Sequence, residues 1–141
     1  GDTGKLIATL PLLPGRSYHV LAFSSDDEYL AAGNDNAVVI WNMKTLKVHH
    51  QLEGHRGNCR CLDFSPGDRF LATRGDDKLI KIWDISTGKL VKTIEGHTDF
   101  VFGVDFSSDG KTLASGGFDK QVFIWDVSEI VGDSVPKRRG S

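Results

Sequence analysis

The chain has 141 residues, of which 39% are hydrophobic and 26% charged, and its formal net charge is −2. This composition is that of an ordinary soluble globular domain, and the near-neutral charge does not favour a nucleic-acid partner. No apolar run approaches the roughly 20 residues that span a bilayer, so we expect no membrane partner. The first residues lack both Met and a signal-peptide pattern, so we expect a processed chain or an excised piece of a longer one.

Short strands separated by turns are predicted along the whole chain, with no helix-length apolar pattern. The first strand is GKLIATL over residues 4–10. Hairpin turns rich in Asp, Pro and Gly follow at residues 24–28, 65–69 and 107–111. In the last part of the chain, the strands are expected near residues 88–95, 100–107, 111–116 and 121–127. Residues 128–141 form a C-terminal tail whose basic run, 137–139, we interpret as a solvated end.

Several landmarks recur at a nearly constant interval along the chain. The recurring residues are the tryptophans Trp41, Trp83 and Trp125, the aspartates Asp35, Asp77 and Asp119, and the Gly-His pairs at 54–55 and 96–97. Phe-Ser pairs and Leu-Ala pairs keep the same register. A period of about 40–45 residues marked by Gly-His and Trp-Asp is the signature of a four-stranded propeller blade.

Over residues 5–127, these motifs resemble the WD40-repeat β-propeller family. The resemblance implies an all-β fold of three four-stranded antiparallel blades, the third lacking its own outer strand. The blades occupy residues 1–127 as units of about 4–42, 46–84 and 88–127, with 128–141 as the tail. The first unit departs from the family pattern, because it has no Gly-His pair and has Ala32 where the later units have Thr or Ser.

In WD40 blades, Trp, Ser or Thr, His and Asp form a buried hydrogen-bonded chain, and the resemblance implies such a structural brace here. Its members are His97, Ser115, Asp119 and Trp125 in the third unit, His55, Thr73, Asp77 and Trp83 in the second, and only Asp35 and Trp41 in the first. Ser, His and Asp also make hydrolytic triads. However, the set occurs twice, once with Thr, and no nucleophile elbow or oxyanion loop accompanies it. We therefore expect no enzymatic activity and no cofactor, and we expect the first unit to be less firmly held.

The cysteines and the paired histidines suggest no metal site. On a regular strand, Cys59 and Cys61 point to one face and lie too close along the chain for an ordinary disulfide. Two free thiols are typical of a reducing compartment, so we expect a cytoplasmic protein. His49 and His50 are adjacent on a predicted strand and should face opposite ways, which is poor geometry for a shared metal.

Three blades do not close a ring, because propellers typically have about four to eight. In the family, the N-terminal strand often pairs with the last blade and completes it, an arrangement called velcro closure. Three blades would be too sharply curved for one chain to do this, so the donor strand would come from another copy. Two copies would give six blades and three copies nine. The alternative is that the chain is a fragment of a longer propeller.

The resemblance also implies a partner-binding top face, formed by positions just after Gly-His and just before the brace aspartate. Those positions are Ser17, His19, Asn34, Asn58, Arg60, Asp76, Phe100, Phe102 and Phe118. Aromatic and Arg residues dominate binding hot spots, so we expect a non-catalytic scaffold for a peptide or protein. Packing of the phenylalanines against one another remains an alternative. Two other functions stay open: a regulatory or sensor fragment of a larger signalling protein, and a propeller that binds a small molecule or sugar.

Overall fold

A computed structural model describes residues 4–10, 18, 20–33, 37–53, 59–97, 101–117 and 119–132. Within these residues it contains eleven strands, arranged in three antiparallel sheets, and one short helix. The predicted all-β fold is confirmed, and among these residues the third sheet has no outer strand, as expected. No helix of the described residues is long and apolar enough to cross a membrane.

The three sheets follow one another along the chain, and each is a meander of consecutive strands. Sheet 1 contains β1 (Val20–Phe23), β2 (Tyr29–Gly33), β3 (Ala37–Asn42) and β4 (Lys47–Glu53). Sheet 2 contains β5 (Cys59–Phe64), β6 (Phe70–Gly75), β7 (Ile80–Asp84) and β8 (Leu90–Ile94). Sheet 3 contains β9 (Val101–Phe106), β10 (Thr112–Gly117) and β11 (Val122–Asp126), followed by α1 (Ser128–Gly132).

Sheets and sequence units are displaced by one strand. The outer strand β4 of sheet 1 belongs to the second sequence unit, and the outer strand β8 of sheet 2 belongs to the third. Each of these two sheets is therefore completed by the strand that begins the next unit.

Each sheet has two apolar faces, as expected for strands buried between neighbouring sheets. We call the face that bears the repeated tryptophan the leading face and the opposite one the trailing face. The trailing face of sheet 1, with Val38, Ile40 and Leu52, packs against the leading face of sheet 2. The trailing face of sheet 2, with Ile80 and Ile82, packs in the same way against sheet 3. Sheet 2 is thus covered on both sides.

Residues 5–10 join none of the three sheets, so the strand expected over residues 4–10 does not form in the single chain. A β-strand needs a hydrogen-bonded neighbour, and none of the described strands pairs with this segment. Leu10 nevertheless packs beside Trp41 on the leading face of sheet 1. Leu6 and Ile7 are exposed.

The start of the tail is ordered as the helix α1. Ile130 packs against the core between sheets 2 and 3. A carboxylate oxygen of Asp126 accepts hydrogen bonds from the backbone N–H and the hydroxyl of Ser128, at 2.9 and 2.6 Å. These contacts bring the chain back onto the core after β11. The basic run 137–139 lies outside the described residues.

Candidate interaction face and the side chains that support it

A chain of hydrogen bonds connects four side chains of sheet 3. The indole N–H of Trp125 donates to Oγ of Ser115 at 2.7 Å. Oγ of Ser115 lies 2.8 Å from Nε2 of His97, whose Nδ1 lies 3.0 Å from a carboxylate oxygen of Asp119. A carboxylate only accepts, so Nδ1–H donates to Asp119 and Nε2 accepts from the Ser115 hydroxyl. Every polar group in the series has a partner, as a buried network requires.

The order Ser, His, Asp has the connectivity of a hydrolytic triad, but its surroundings are those of a core. Ser115 is only 2% exposed and His97 is buried. The Ser115 oxygen already accepts from the indole of Trp125. A nucleophile must instead meet a substrate carbon and lie beside donors for the oxyanion. The arrangement is suited to holding the sheet together.

Gly96 and Trp125 fit together closely. A Cβ atom at Gly96 would lie 2.5 Å from Cη2 of Trp125. Only glycine leaves room for the indole, which accounts for the residue before His97 in the repeated Gly-His pair.

Sheet 2 has the corresponding contacts among its described residues. The indole N–H of Trp83 donates to Oγ1 of Thr73 at 2.9 Å. The Thr73 hydroxyl lies 3.4 Å from the carbonyl oxygen of Lys81. His55, the third expected member, lies outside the described residues. Thr and Ser therefore take the same place under the tryptophan.

Sheet 1 has an apolar residue at the position of the hydroxyl that accepts from the tryptophan in sheets 2 and 3. Ala32 occupies the place of Thr73 and Ser115 and offers no hydroxyl. The ring of Trp41 packs with Val39, Leu30 and Leu10, and Tyr18 meets it edge-on, with the ring centroids 6.0 Å apart. Asp35 lies outside the described residues.

The brace aspartates also shape the turns at one end of the sheets. Asp77 accepts from the backbone N–H of Leu79 at 3.2 Å, and Asp119 accepts from that of Gln121 at 3.1 Å. The residue between the partners has positive φ in both turns, 66° at Lys78 and 64° at Lys120. Because the His97 chain ends on Asp119, the buried network is tied directly to the turn between β10 and β11. This end of the strands is the predicted top face.

Two residues predicted for this face lie at interruptions of the strand ladders. Cys59 pairs with Gly75 and Cys61 with Arg74, so Arg60 is an extra residue in β5. In β9, Val101 pairs with Gly117 and Gly103 with Gly116, so Phe102 is the extra residue. The two bulges therefore occupy equivalent positions in successive repeats. β-bulges are over-represented next to functional sites, where they change the local course of a strand.

The remaining predicted face residues are described only in part. Asp76 is half-buried in the turn after β6. The side chains of Arg60 and Phe102 are not described. Outside the described residues lie Ser17, His19, Asn34, Asn58, Phe100 and Phe118.

The bulge in β5 overturns the expectation that both cysteines share one face. Cys59 packs between sheets 1 and 2, whereas Cys61 packs against the core between sheets 2 and 3. The extra residue at Arg60 reverses the alternation, which sequence spacing alone assumes to be regular. Both thiols are free, and burial raises the pKa of Cys59 to about 12.

A bulge also overturns the expectation that His49 and His50 face opposite ways. Ile40 pairs with His50 and Trp41 with Val48, so His49 is the extra residue. Both rings then reach the turn of the next sheet, where Nε2 of His49 lies 3.1 Å from the carbonyl oxygen of Ile85 and Nε2 of His50 lies 3.1 Å from that of Ser86. Burial, and secondly the charge of His50, lowers the pKa of His49. Among the described residues, no group of three or more potential ligands is placed to hold a metal.

Two carboxylates, Asp63 on the inner strand β5 and Asp68 in the turn after it, form contacts between sheets that the sequence interpretation missed. Asp63 accepts from the backbone N–H of Phe106 at 2.8 Å. Burial, opposed by that hydrogen bond and assisted by the nearby charge of Asp105, raises the pKa of Asp63 to about 6. Asp68 accepts from the backbone N–H and the hydroxyl of Ser25, at 2.9 and 2.6 Å. An available signal was the repeated Asp-Phe-Ser at 63–65 and 105–107, which sheet 1 replaces with Ala22.

The antiparallel sheets and their repeated tryptophan hydrogen bonds are those of propeller blades, and comparison with known proteins identifies the family. The family model described as "WD domain, G-beta repeat" matches residues 4–42, 46–84 and 88–126. The chain therefore belongs to the WD40 family. It is also similar to the human "Protein NEDD1", with 34% identity over 70 residues, which are 49% of this chain and 11% of that protein. The match thus spans a small part of the relative's length.

Proposed function

We propose that the chain is a non-catalytic scaffold that presents the top face of its blades to a peptide or protein. WD40 repeats in general support a role in protein interaction. The binding surface consists of the turns after β6 and β10 and the bulges at Arg60 and Phe102.

The observation that carries this proposal is the pair of equivalent bulges beside a braced turn. Both bulges lie at the end of the sheets where Asp77 and Asp119 shape the turns. A rigid turn reduces the entropy that a binding surface loses when it meets its partner. Arg and Phe are also residue types that carry binding energy in interfaces.

A hydrolytic function is not favoured, because the one described Ser-His-Asp series is enclosed by the core. We propose neither nucleic acid nor membrane as the partner, since a net charge of −2 does not favour attraction to phosphates. A reducing, intracellular location suits the two free thiols.

The test begins with a random peptide library displayed on phage and enriched on the immobilised chain. The affinity of an enriched peptide is then measured for Arg60→Ala, Phe102→Ala and Phe118→Ala. We expect each dissociation constant to rise at least about tenfold, as for hot-spot residues, with an unchanged melting temperature.

The matched control is Lys44→Ala, because Lys44 is highly exposed in the turn at the opposite end of sheet 1. Its affinity should equal that of the wild type. Wild-type affinity in all three face variants would place the binding surface elsewhere, and failure to enrich any peptide would contradict peptide binding. Unfolding of the phenylalanine variants would instead favour packing of these rings at the channel mouth, and Arg60→Ala would then decide on the face.

A further inference from the structure

Among the described residues nothing covers the trailing face of sheet 3, although the same face is buried in sheets 1 and 2. Val38 and Ile40 of sheet 1 are buried, and so are their equivalents in the next repeat, Ile80 and Ile82. One repeat further on, Val122 is 74% exposed and Ile124 is 67% exposed. Residue type is preserved, whereas sheet 3 has neither an outer strand nor a covering sheet among the described residues. Adjacent exposed β-branched residues of this kind mark an interaction surface.

The leading face of sheet 1 has the complementary residues. Val104 and Phe106 on the leading face of sheet 3 are buried against sheet 2. Their equivalents in sheet 1 are Leu21 and Phe23, which are 68% and 57% exposed. The chain therefore carries both halves of its own intersheet interface, one at each end, with sheet 2 between them.

Leu10, at the end of the segment 4–10, lies where the outer strand of a preceding sheet would contact sheet 1. Leu52 of β4 and Ile94 of β8 are buried, each against the leading face of the following sheet. Leu10 is their equivalent by sequence, and it packs on the leading face of sheet 1. Ile7, which corresponds to Val91 of β8, is 94% exposed. None of the described sheets pairs with this segment.

We infer that two copies of this chain associate head to tail, and that residues 4–10 of one copy become the fourth strand of sheet 3 in the other. The leading face of sheet 1 in the first copy then packs on Val122 and Ile124 of the second. This contact continues the established interface between sheets 2 and 3, with the same residue positions one period on.

The pairing register follows from sheet 2. There, β7 and β8 pair as Ile80 with Ile94, Lys81 with Thr93, Ile82 with Lys92 and Trp83 with Leu90. The register between copies is obtained by replacing each β7 residue with its equivalent in β11, one repeat later, and each β8 residue with its equivalent in the segment 4–10, two repeats earlier. It is Val122 with Leu10, Phe123 with Thr9, Ile124 with Ala8, and Trp125 with Leu6.

Such a contact is heterologous, so it closes only if repeated rotation completes a circle. The association would also bring the top-face turns of sheet 3 beside those of sheet 1. This inference deepens the proposed function, because it names a second copy as the partner that extends the candidate face. Peptide binding can fail while association holds, and the reverse is equally measurable.

The first experiment measures the mass of the purified chain by light scattering across the micromolar range. We expect a discrete species of two or three chains. Ile124→Asp, which puts a charge into the proposed contact, should give monomers that keep their β-sheet circular dichroism. Lys44→Gln, which lowers the net charge by the same one unit at an exposed site away from the contact, is the matched charge control and should remain associated.

The second experiment tests the register by oxidising mixtures of cysteine variants. Directly paired residues in antiparallel strands have Cα atoms about 4.5–5.5 Å apart, within disulfide range. Ala8→Cys mixed with Ile124→Cys should form a covalent dimer at least several-fold faster than Lys5→Cys mixed with Ile124→Cys. Each variant alone controls for Cys59 and Cys61.

A monomer at every concentration would overturn the inference and would mean that something other than a second copy covers sheet 3. Association that survives Ile124→Asp, or equal cross-linking by the two mixtures, would overturn the proposed contact.

Discussion

Sheets 1 and 3 hold equivalent tryptophans in different ways. Trp125 donates to Ser115 within a hydrogen-bonded chain, whereas Trp41 packs with Ala32, Leu10 and Tyr18. At a second equivalent position, on the inner strand, sheet 1 has Ala22 and sheet 3 has Asp105. The same backbone therefore accepts polar or apolar support.

The two kinds of support differ in what they can position. Apolar packing is non-directional, whereas a hydrogen-bonded chain fixes orientations along its length. In sheet 3 that chain ends on Asp119, which shapes the turn at the candidate face. We therefore expect polar support to be retained where a turn must be held rigid.

The largest difference between the sheets should appear when their trailing faces are truncated. Ile40→Ala removes a fully buried side chain, so we expect a loss of about 2–5 kcal/mol in the free energy of unfolding. Ile124→Ala truncates the exposed equivalent and should cost less than about 0.5 kcal/mol in dilute solution. Urea denaturation measures both. Equal losses at every protein concentration would show that Ile124 is buried within the single chain.

Breaking the polar chain should have the next largest effect. Ser115→Ala leaves the indole N–H of Trp125 and Nε2 of His97 without their buried partner, at a cost of about 1–3 kcal/mol. Thermal and urea unfolding measure the loss. Ser115→Thr is the control, because Thr73 already accepts from Trp83 in sheet 2. A loss in the threonine variant as large as in the alanine variant would assign the effect to packing.

A pH-dependent effect of about 1 kcal/mol should follow from the inner-strand carboxylates that sheet 1 lacks. Folding raises the pKa of Asp63 from 3.8 to about 6, so the folded state binds more protons than the unfolded state between these values. Stability contributed by this group therefore falls as the pH rises through that window. Asp63→Asn should be more stable than the wild type by about 1 kcal/mol at neutral pH, allowing for solvent screening. The gain should vanish near pH 4.

The control for Asp63→Asn is Asp109→Asn, in the turn between β9 and β10. Hydrogen bonds from the Ser107 hydroxyl and the Lys111 N–H lower the pKa of Asp109, so its substitution should destabilise the fold at neutral pH and not in acid. Urea denaturation across the pH range separates the two trends. A gain for Asp63→Asn that persists in acid would contradict titration of Asp63.

The smallest expected difference between sheets 1 and 3 is in how often their backbone amides open to solvent. Because the polar chain is incomplete in the first unit, amides of β2 should exchange with solvent a few-fold faster than those of β10. Both are central strands, so the comparison is matched in sheet position. Hydrogen exchange followed by NMR measures it, and slower exchange in β2 would reverse the proposed ranking.

The regular spacing of the tryptophans, aspartates and Gly-His pairs was enough to predict the all-β class, the family and a third sheet without its own outer strand. It could not reveal the bulges at His49, Arg60 and Phe102, because alternation is assumed to be regular until a register is seen. Consequently the sheet faces predicted for the side chains of Cys61 and His49 were wrong. The segment 4–10 pairs with no described strand of the single chain, so its role as an outer strand stays a prediction. The contact from Asp63 to Phe106 was open to prediction, because its motif repeats.

The one-strand displacement between sequence units and sheets has a genetic consequence. Cutting the gene at unit boundaries and inserting one extra unit would leave every strand except the terminal ones with a neighbour. The first strand of the inserted unit would complete the preceding sheet, and the first strand of the following unit would complete the sheet of the inserted unit. Blade number can therefore change by a single in-frame duplication, without an intermediate that exposes a new unpaired edge.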